Sequence, residues 1–192
     1  MAARVRRQFM SPKCRSPVPD RGGIGHDLLV QLSLDPEISE IGHLDQVAMD
    51  DLLVDVDAIT IRRDDGVCFA IDCEGLRRGG DIVDDGLVWV AAGMMGFQRL
   101  PVTRADVMAE PGFANARAVW SYRDCTIDPR MRFEIMNLLH EDGPLRLHEV
   151  CQRVPGPRDP VATIFAMCCA NLIEIDLGEM LDQHTIVRAR GI

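Results

Sequence analysis

The stretch from Val56 to Gly75 constrains this chain more than any other. Val56-Asp57-Ala58-Ile59-Thr60-Ile61 and Phe69-Ala70-Ile71-Asp72-Cys73-Glu74-Gly75 are strand-like runs, and Arg62-Arg63-Asp64-Asp65-Gly66 between them has turn chemistry. Together they predict a β-hairpin. Side chains alternate along a strand, so Asp72 and Glu74 share a face, and pairing about Asp65-Gly66 can bring Asp57 to it. Three carboxylates on one face repel one another, and a hard divalent cation is the usual remedy. The expectation is a site at Asp57, Asp72 and Glu74 that binds Mg²⁺, with Mn²⁺ as a substitute. The competing reading makes these acids the solvated face of a half-buried sheet.

The flanks of the hairpin read as an α/β unit. Leu28, Leu29 and Leu32 recur at helical spacing over 26–34, and Asp35-Pro36 stops the helix. Strands are predicted over 38–41, 52–61 and 67–73, then a helix over 84–95 with Gly96 as its C-terminal cap. A strand over 97–102 follows. Thr103 caps a short helix that ends before Pro111-Gly112, and Trp120 and Tyr122 anchor a closing helix by core packing.

Beyond Asp128 the alternation gives way to helical periodicity. Asp128-Pro129 opens a helix over 130–140, Leu145 begins a second over 145–154, and Asp159-Pro160 opens a third running to Asn171. Strands over 172–176 and 185–190 close the chain around a turn at Gly178. Three helices and a two-stranded wing make a winged-helix arrangement. Its third helix contains no arginine, lysine, glutamine or serine to reach base edges or phosphates. That composition points to docking on a protein partner rather than reading DNA.

The hairpin resembles the PD-(D/E)xK nuclease motif, with Val56-Asp57 at the PD position and Asp72-Cys73-Glu74 at the (D/E)xK position. The chain is most similar to the TnsA-type endonuclease subunit of heteromeric transposases. His26-Asp27-Leu28-Leu29-Val30-Gln31-Leu32-Ser33-Leu34-Asp35-Pro36-Glu37-Ile38 is similar to that family's first helix and following turn, and Asn115-Ala116-Arg117-Ala118-Val119-Trp120-Ser121-Tyr122-Arg123 to the segment closing its nuclease domain. The resemblance covers most of residues 8 to 125. It implies an α/β restriction-endonuclease-like core with Asp57, Asp72 and Glu74 as catalytic and Mg²⁺-binding residues, followed by the winged-helix domain. Two positions depart from the pattern. Glu74 stands where the family has a lysine, and Gly25 where its first helix supplies a glutamate. An anion beside the scissile phosphate opposes the charge that develops in phosphoryl transfer. The resemblance therefore implies a nuclease-fold subunit with a degenerate site, a structural or regulatory component of a transposase-like DNA-processing complex. The alternatives are an active Mg²⁺-dependent endonuclease and, more weakly, a winged-helix DNA-binding regulator.

Charge and cysteine content bound the remaining expectations. Residues 1–22 carry Arg4, Arg6, Arg7, Lys13, Arg15 and Arg21 against Asp20 alone, whereas the whole chain has a net charge of −9. A flexible basic arm over 1–22 is expected to hold DNA weakly, because the acidic body repels phosphate. The nuclease-like domain then spans 23–125 and the winged-helix domain 126–192, the latter offering the surface for a transposase-like subunit or a second copy. Seven cysteines without a CxxC pair speak against a zinc ribbon and fit a reducing cytoplasm. The five histidines show neither HxxxH nor HExxH spacing, so each is assigned a surface or capping role. No run of eighteen apolar residues occurs, and no membrane partner is expected.

Overall fold

A computed structural model describes residues 7–73, 76, 82–154 and 159–191. The chain divides into two compact units, Met1–Val107 and Met108–Ile192. Both are mixtures of helices and strands.

In the first unit, β1 (Gln8–Phe9) pairs antiparallel with β2 (Val18–Pro19). Phe9 and Val18 are buried, and so are Ser11, Lys13 and Asp20. Lys13 donates through Nζ to the Asp35 carbonyl, and the Ile41 amide donates to the Lys13 carbonyl at 2.9 Å. The basic composition of 1–22 predicts a flexible arm; residues 7–22 are instead folded onto the unit. The difference arises because three of their cations find acids, Arg7 pairing with Asp20 of the same segment, Arg15 with Glu40 and Arg21 with Asp57.

Helix α1 (Gly23–Leu34) buries Leu28, Leu29, Val30, Leu32 and Leu34, and stops at Asp35 as the following proline requires. Strand β3 (Ile38–Met49) turns at Asp50-Asp51 into β4 (Leu52–Arg63), which turns at Gly66 into β5 (Cys68–Cys73). Gly66 has φ +84°, which glycine adopts without steric cost. Helix α2 (Ile82–Met94) ends at Gly96, also at φ +84°, and crosses over to β6 (Gln98–Val102), which lies parallel to β5. The result is a mixed four-stranded sheet in the order β3-β4-β5-β6. On one face Val47, Val54, Val56, Ala58 and Ala70 form a core with Val88, Ala91 and Ala92 of α2. Helix α3 (Arg104–Val107) is tied to α1 by the Gln31 Nε2 donation to the Val107 carbonyl at 2.7 Å.

The second unit contains α4 (Gly112–Trp120), α5 (Pro129–Asp142), α6 (Leu147–Arg153) and α7 (Pro160–Cys169). Asp128 caps α5, accepting from the Arg130 and Met131 amides at 3.0 and 3.1 Å, and Asp159 caps α7 in the same way. Where the sequence predicts two strands there are three. Leu145–Arg146 leave the predicted second helix to form β7, beside β9 (Ile186–Ala189) and β8 (Ile173–Ile175), in the order β7-β9-β8. Helix α4 belongs to this unit, ahead of the change in sequence pattern at residue 125. Trp120 is buried, Tyr122 packs edge-on against Phe165 at 5.3 Å, and the Cys169 thiol donates to the Val119 carbonyl.

Helix α7 differs from its expected role as a docking face. Thr163 through Cys169 are all buried, covered by α4, α5, α6 and β8 of the same unit. A helix that is apolar all round belongs in a core, and here the chain supplies that core itself.

Candidate functional site

The site grows from an irregularity in β4. Ala58 lies opposite Leu44 and Asp55 opposite Gln46, so β4 carries one more residue than β3 between these pairs. The extra residue makes a β-bulge at Val56-Asp57, and bulges commonly re-aim a side chain beside a site. Asp57 has φ +46°, a left-handed conformation that aspartate tolerates better than most residues.

Two side chains hold the Asp57 carboxylate. Oδ1 lies 3.0 Å from Nε2 of His43 on β3, and Oδ2 receives Nη2 of Arg21. An ionised carboxylate has no proton to give, so Nε2 is the nitrogen of His43 that carries hydrogen. Burial is the largest single influence on Asp57 and acts upward. The hydrogen bonds and charges of Arg21 and His43 together outweigh it and hold the carboxyl below its ordinary value of 3.8.

A second acid stands beside this group. The Asp20 side chain, 2% exposed, accepts from the Gly22 amide at 2.8 Å, and its Oδ2 lies 3.0 Å from His26 Nδ1 and 3.2 Å from Arg7 Nε. Asp20, the residue before Arg21, is thus paired with a histidine as Asp57 is. Next to Asp57 is a cavity of about 20 Å³, lined by Arg21, Gly25, His43, Ile59 and Ile71 among others, room for about one water molecule. A Cβ at Gly25 would come within 2.7 Å of Leu76 Cδ2, so the bare α1 backbone is what lets the two pack.

Asp72 is not part of this group. Thr60 pairs with Ala70, and the same register continued sets Ala58 against Asp72 and Asp57 against Cys73. Ile71 lines the Asp57 cavity, so Asp72, one residue on, projects from the opposite face. There its Oδ2 accepts from Nε of Arg99 on β6 at 2.8 Å, and the Arg99 guanidinium sits 4.9 Å over the Trp89 ring of α2. Glu74 lies outside the described residues. Asp57 and Asp72, expected on one face, are therefore on two. Among the described residues no group of three histidine, cysteine, aspartate or glutamate side chains could hold a metal ion.

Histidines 26 and 43, assigned surface or capping roles from the sequence, instead pair with the buried Asp20 and the part-buried Asp57. Arg21, counted as a free cation of a basic arm, is the main partner of Asp57. No direct signal for His43 lay in the sequence: an uninterrupted pairing of 38–49 with 52–63 would set residue 43 opposite residue 58, and the bulge shifts it opposite Ile59, on the face of Asp57.

No protein-family model matches this chain, and no curated protein matches it. Among the described residues no helix is long and apolar enough to cross a membrane.

Proposed function

We propose that this chain is a TnsA-like, nuclease-fold subunit whose phosphodiesterase site has degenerated, and that it serves as a structural or regulatory component of a DNA-processing, transposase-like complex. The element order of the first unit supports the reading: helix, strand, hairpin, crossover helix and parallel strand make the α/β core that the resemblance implies. In the second unit, the three helices after Asp128 and the three-stranded sheet, whose first strand lies between α5 and α6, accord with a winged helix. Gly25 lines the same cavity as Asp57, as the resemblance expects of the first-helix position that carries the family's glutamate.

One observation carries the conclusion that the site is inactive. The Asp57 carboxylate is held by Arg21 and His43, and the β5 side chains that share its face are Phe69, Ile71 and Cys73. Metal-assisted cleavage needs several hard oxygen ligands around the cation and a positive group beside the developing phosphorane. Among the described residues β5 brings no acid to this face, and the Asp57 carboxylate is already paired. Arg21 neutralises Asp57 and is not available to the phosphate. Removing even one preorganised electrostatic group commonly costs on the order of a hundredfold in rate.

DNA contact by the isolated chain is expected to be weak. Arg7, Arg15 and Arg21 are matched by acids, and the chain as a whole is acidic. The test is nicking of supercoiled plasmid with Mg²⁺ and with Mn²⁺. No nicking above background is expected from the isolated protein. Metal-dependent nicking that both Asp57→Ala and Asp72→Ala abolish would establish the endonuclease reading in its place.

A further inference from the structure

Two exposed features lie outside the Asp57 site, and their chemistries are complementary. The first is the tip of the β3–β4 hairpin. Leu52 and Leu53 are 51% and 60% exposed there. Asp50 and Asp51 in the turn, with Asp45 and Asp55 on the two strands, are exposed around them. From residue 22 to residue 61 the chain has no lysine or arginine. Among the described residues the ion pairs reaching this stretch go to Glu37, Glu40 and Asp57, and leave the four tip aspartates uncompensated.

The second feature is a groove on the second unit along α5, lined by Ile127, Pro129, Arg132, Phe133 and Met136, with about 470 Å³ of space. That volume is in the range that encloses a sizeable apolar group. Phe133 is 66% exposed and shares the groove with Ile127 and Met136. The neighbouring cation Arg130 is neutralised by Glu134, whereas Arg132 has no acid within reach among the described residues. The groove is thus apolar with an uncompensated guanidinium, and the tip is apolar with uncompensated carboxylates.

We propose that the hairpin tip of one copy docks in the α5 groove of a second copy, Leu52 and Leu53 covering Phe133 and Met136 while Arg132 faces the tip aspartates. Charge selects this arrangement over symmetric ones. Tip against tip would oppose two clusters of aspartates, and groove against groove would oppose two Arg132 guanidiniums. The two patches differ, so the contact is heterologous: each copy offers one tip and one groove, and association proceeds head to tail. The contact is small, which makes it a weak, concentration-dependent and salt-sensitive association.

Sedimentation velocity on the full chain, with increasing protein concentration at low and at high salt, tests this. The wild type is expected to grow beyond a monomer as concentration rises, and less so in high salt. Leu53→Arg removes the tip and Phe133→Glu the groove; each side chain is exposed, so both variants are expected to keep the wild-type melting temperature. Each alone should lose at least about tenfold in association constant. Mixed in equal amounts, they retain one intact tip and one intact groove between them, so dimers should return and nothing larger. Arg132→Glu provides a second groove variant that leaves the apolar lining in place. A wild type that stays monomeric at every concentration overturns the proposal, as does either variant associating like the wild type, or a mixture that shows no dimer.

Discussion

Replacing Asp57 separates the electrostatic role of this residue from its backbone role. Asn is the informative substitution, because it tolerates φ +46° nearly as well as Asp and keeps an oxygen for a hydrogen bond. What it removes is the charge shared with Arg21 and His43. Hydrogen bonds to charged groups contribute about 1.5–3 kcal/mol each. Arg21 is one-third exposed and His43 less so, so solvent screening puts the loss for Asp57→Asn at about 1–2 kcal/mol. Asp57→Ala loses both hydrogen bonds and puts a Cβ without polar compensation at positive φ, for about 2–4 kcal/mol in all. Urea denaturation followed by Trp89 fluorescence measures this in a Trp120→Phe background, where Trp89 is the remaining tryptophan of the two. The pH dependence has a fixed sign. The folded Asp57 carboxyl titrates below its ordinary value of 3.8, so its stabilisation is complete above that pH and is lost as pH falls through the folded value. The gap between wild type and Asp57→Asn should therefore hold steady from neutrality towards pH 3.8 and close below it. An Asp57→Asn protein as stable as the wild type at neutral pH, or a gap that widens in acid, would refute the reasoning.

Two further outcomes follow from the packing. Deleting residues 1–22 removes Phe9 and Val18 from the core and Arg21 from Asp57. At about 1.5–3 kcal/mol for each buried apolar side chain, thermal melting should show loss of most of the first unit's stability; a truncated protein with an unchanged melting temperature would restore the flexible-arm picture. Native thiol labelling should modify exposed Cys125 quickly and leave Cys168 and Cys169 unmodified until urea unfolds the second unit. Burial raises both of the latter thiols, Cys169 to about 12, and it is the thiolate that reacts. Labelling of Cys168 at the Cys125 rate would contradict that burial.

Much of the fold was legible because it rests on local chemistry. Alternation marks β4 and β5, Gly66 marks their turn, and the Asp-Pro pairs at 128–129 and 159–160 mark two helix starts that the structure caps as expected. The site was less legible because it depends on register. Whether Asp57 falls level with Asp72 or with Cys73 is decided by one residue of turn length, and a turn built of Asp and Gly accommodates more than one length. The observed pairing of Thr60 with Ala70 puts Asp57 on the Ile71 face and Asp72 on the other. The partners of the N-terminal cations were hidden for a different reason. Arg21 meets Asp57 and Arg15 meets Glu40 across long sequence separations, and composition reports charges without reporting what they face. Helix α7 shows the same limit: its apolar composition says that it is covered, and tertiary packing decides by what.

The placement of Asp57 and Asp72 on opposite faces is tested most directly by titrating Mn²⁺ into the wild type, Asp57→Asn and Asp72→Asn, with bound and free metal distinguished by electron paramagnetic resonance. Any tight site in the wild type is expected to survive at least one of the two substitutions, because a single ion cannot reach both carboxylates through the sheet. A tight Mn²⁺ site that each substitution alone abolishes would require the two carboxylates to share one ion, and would contradict the arrangement described above.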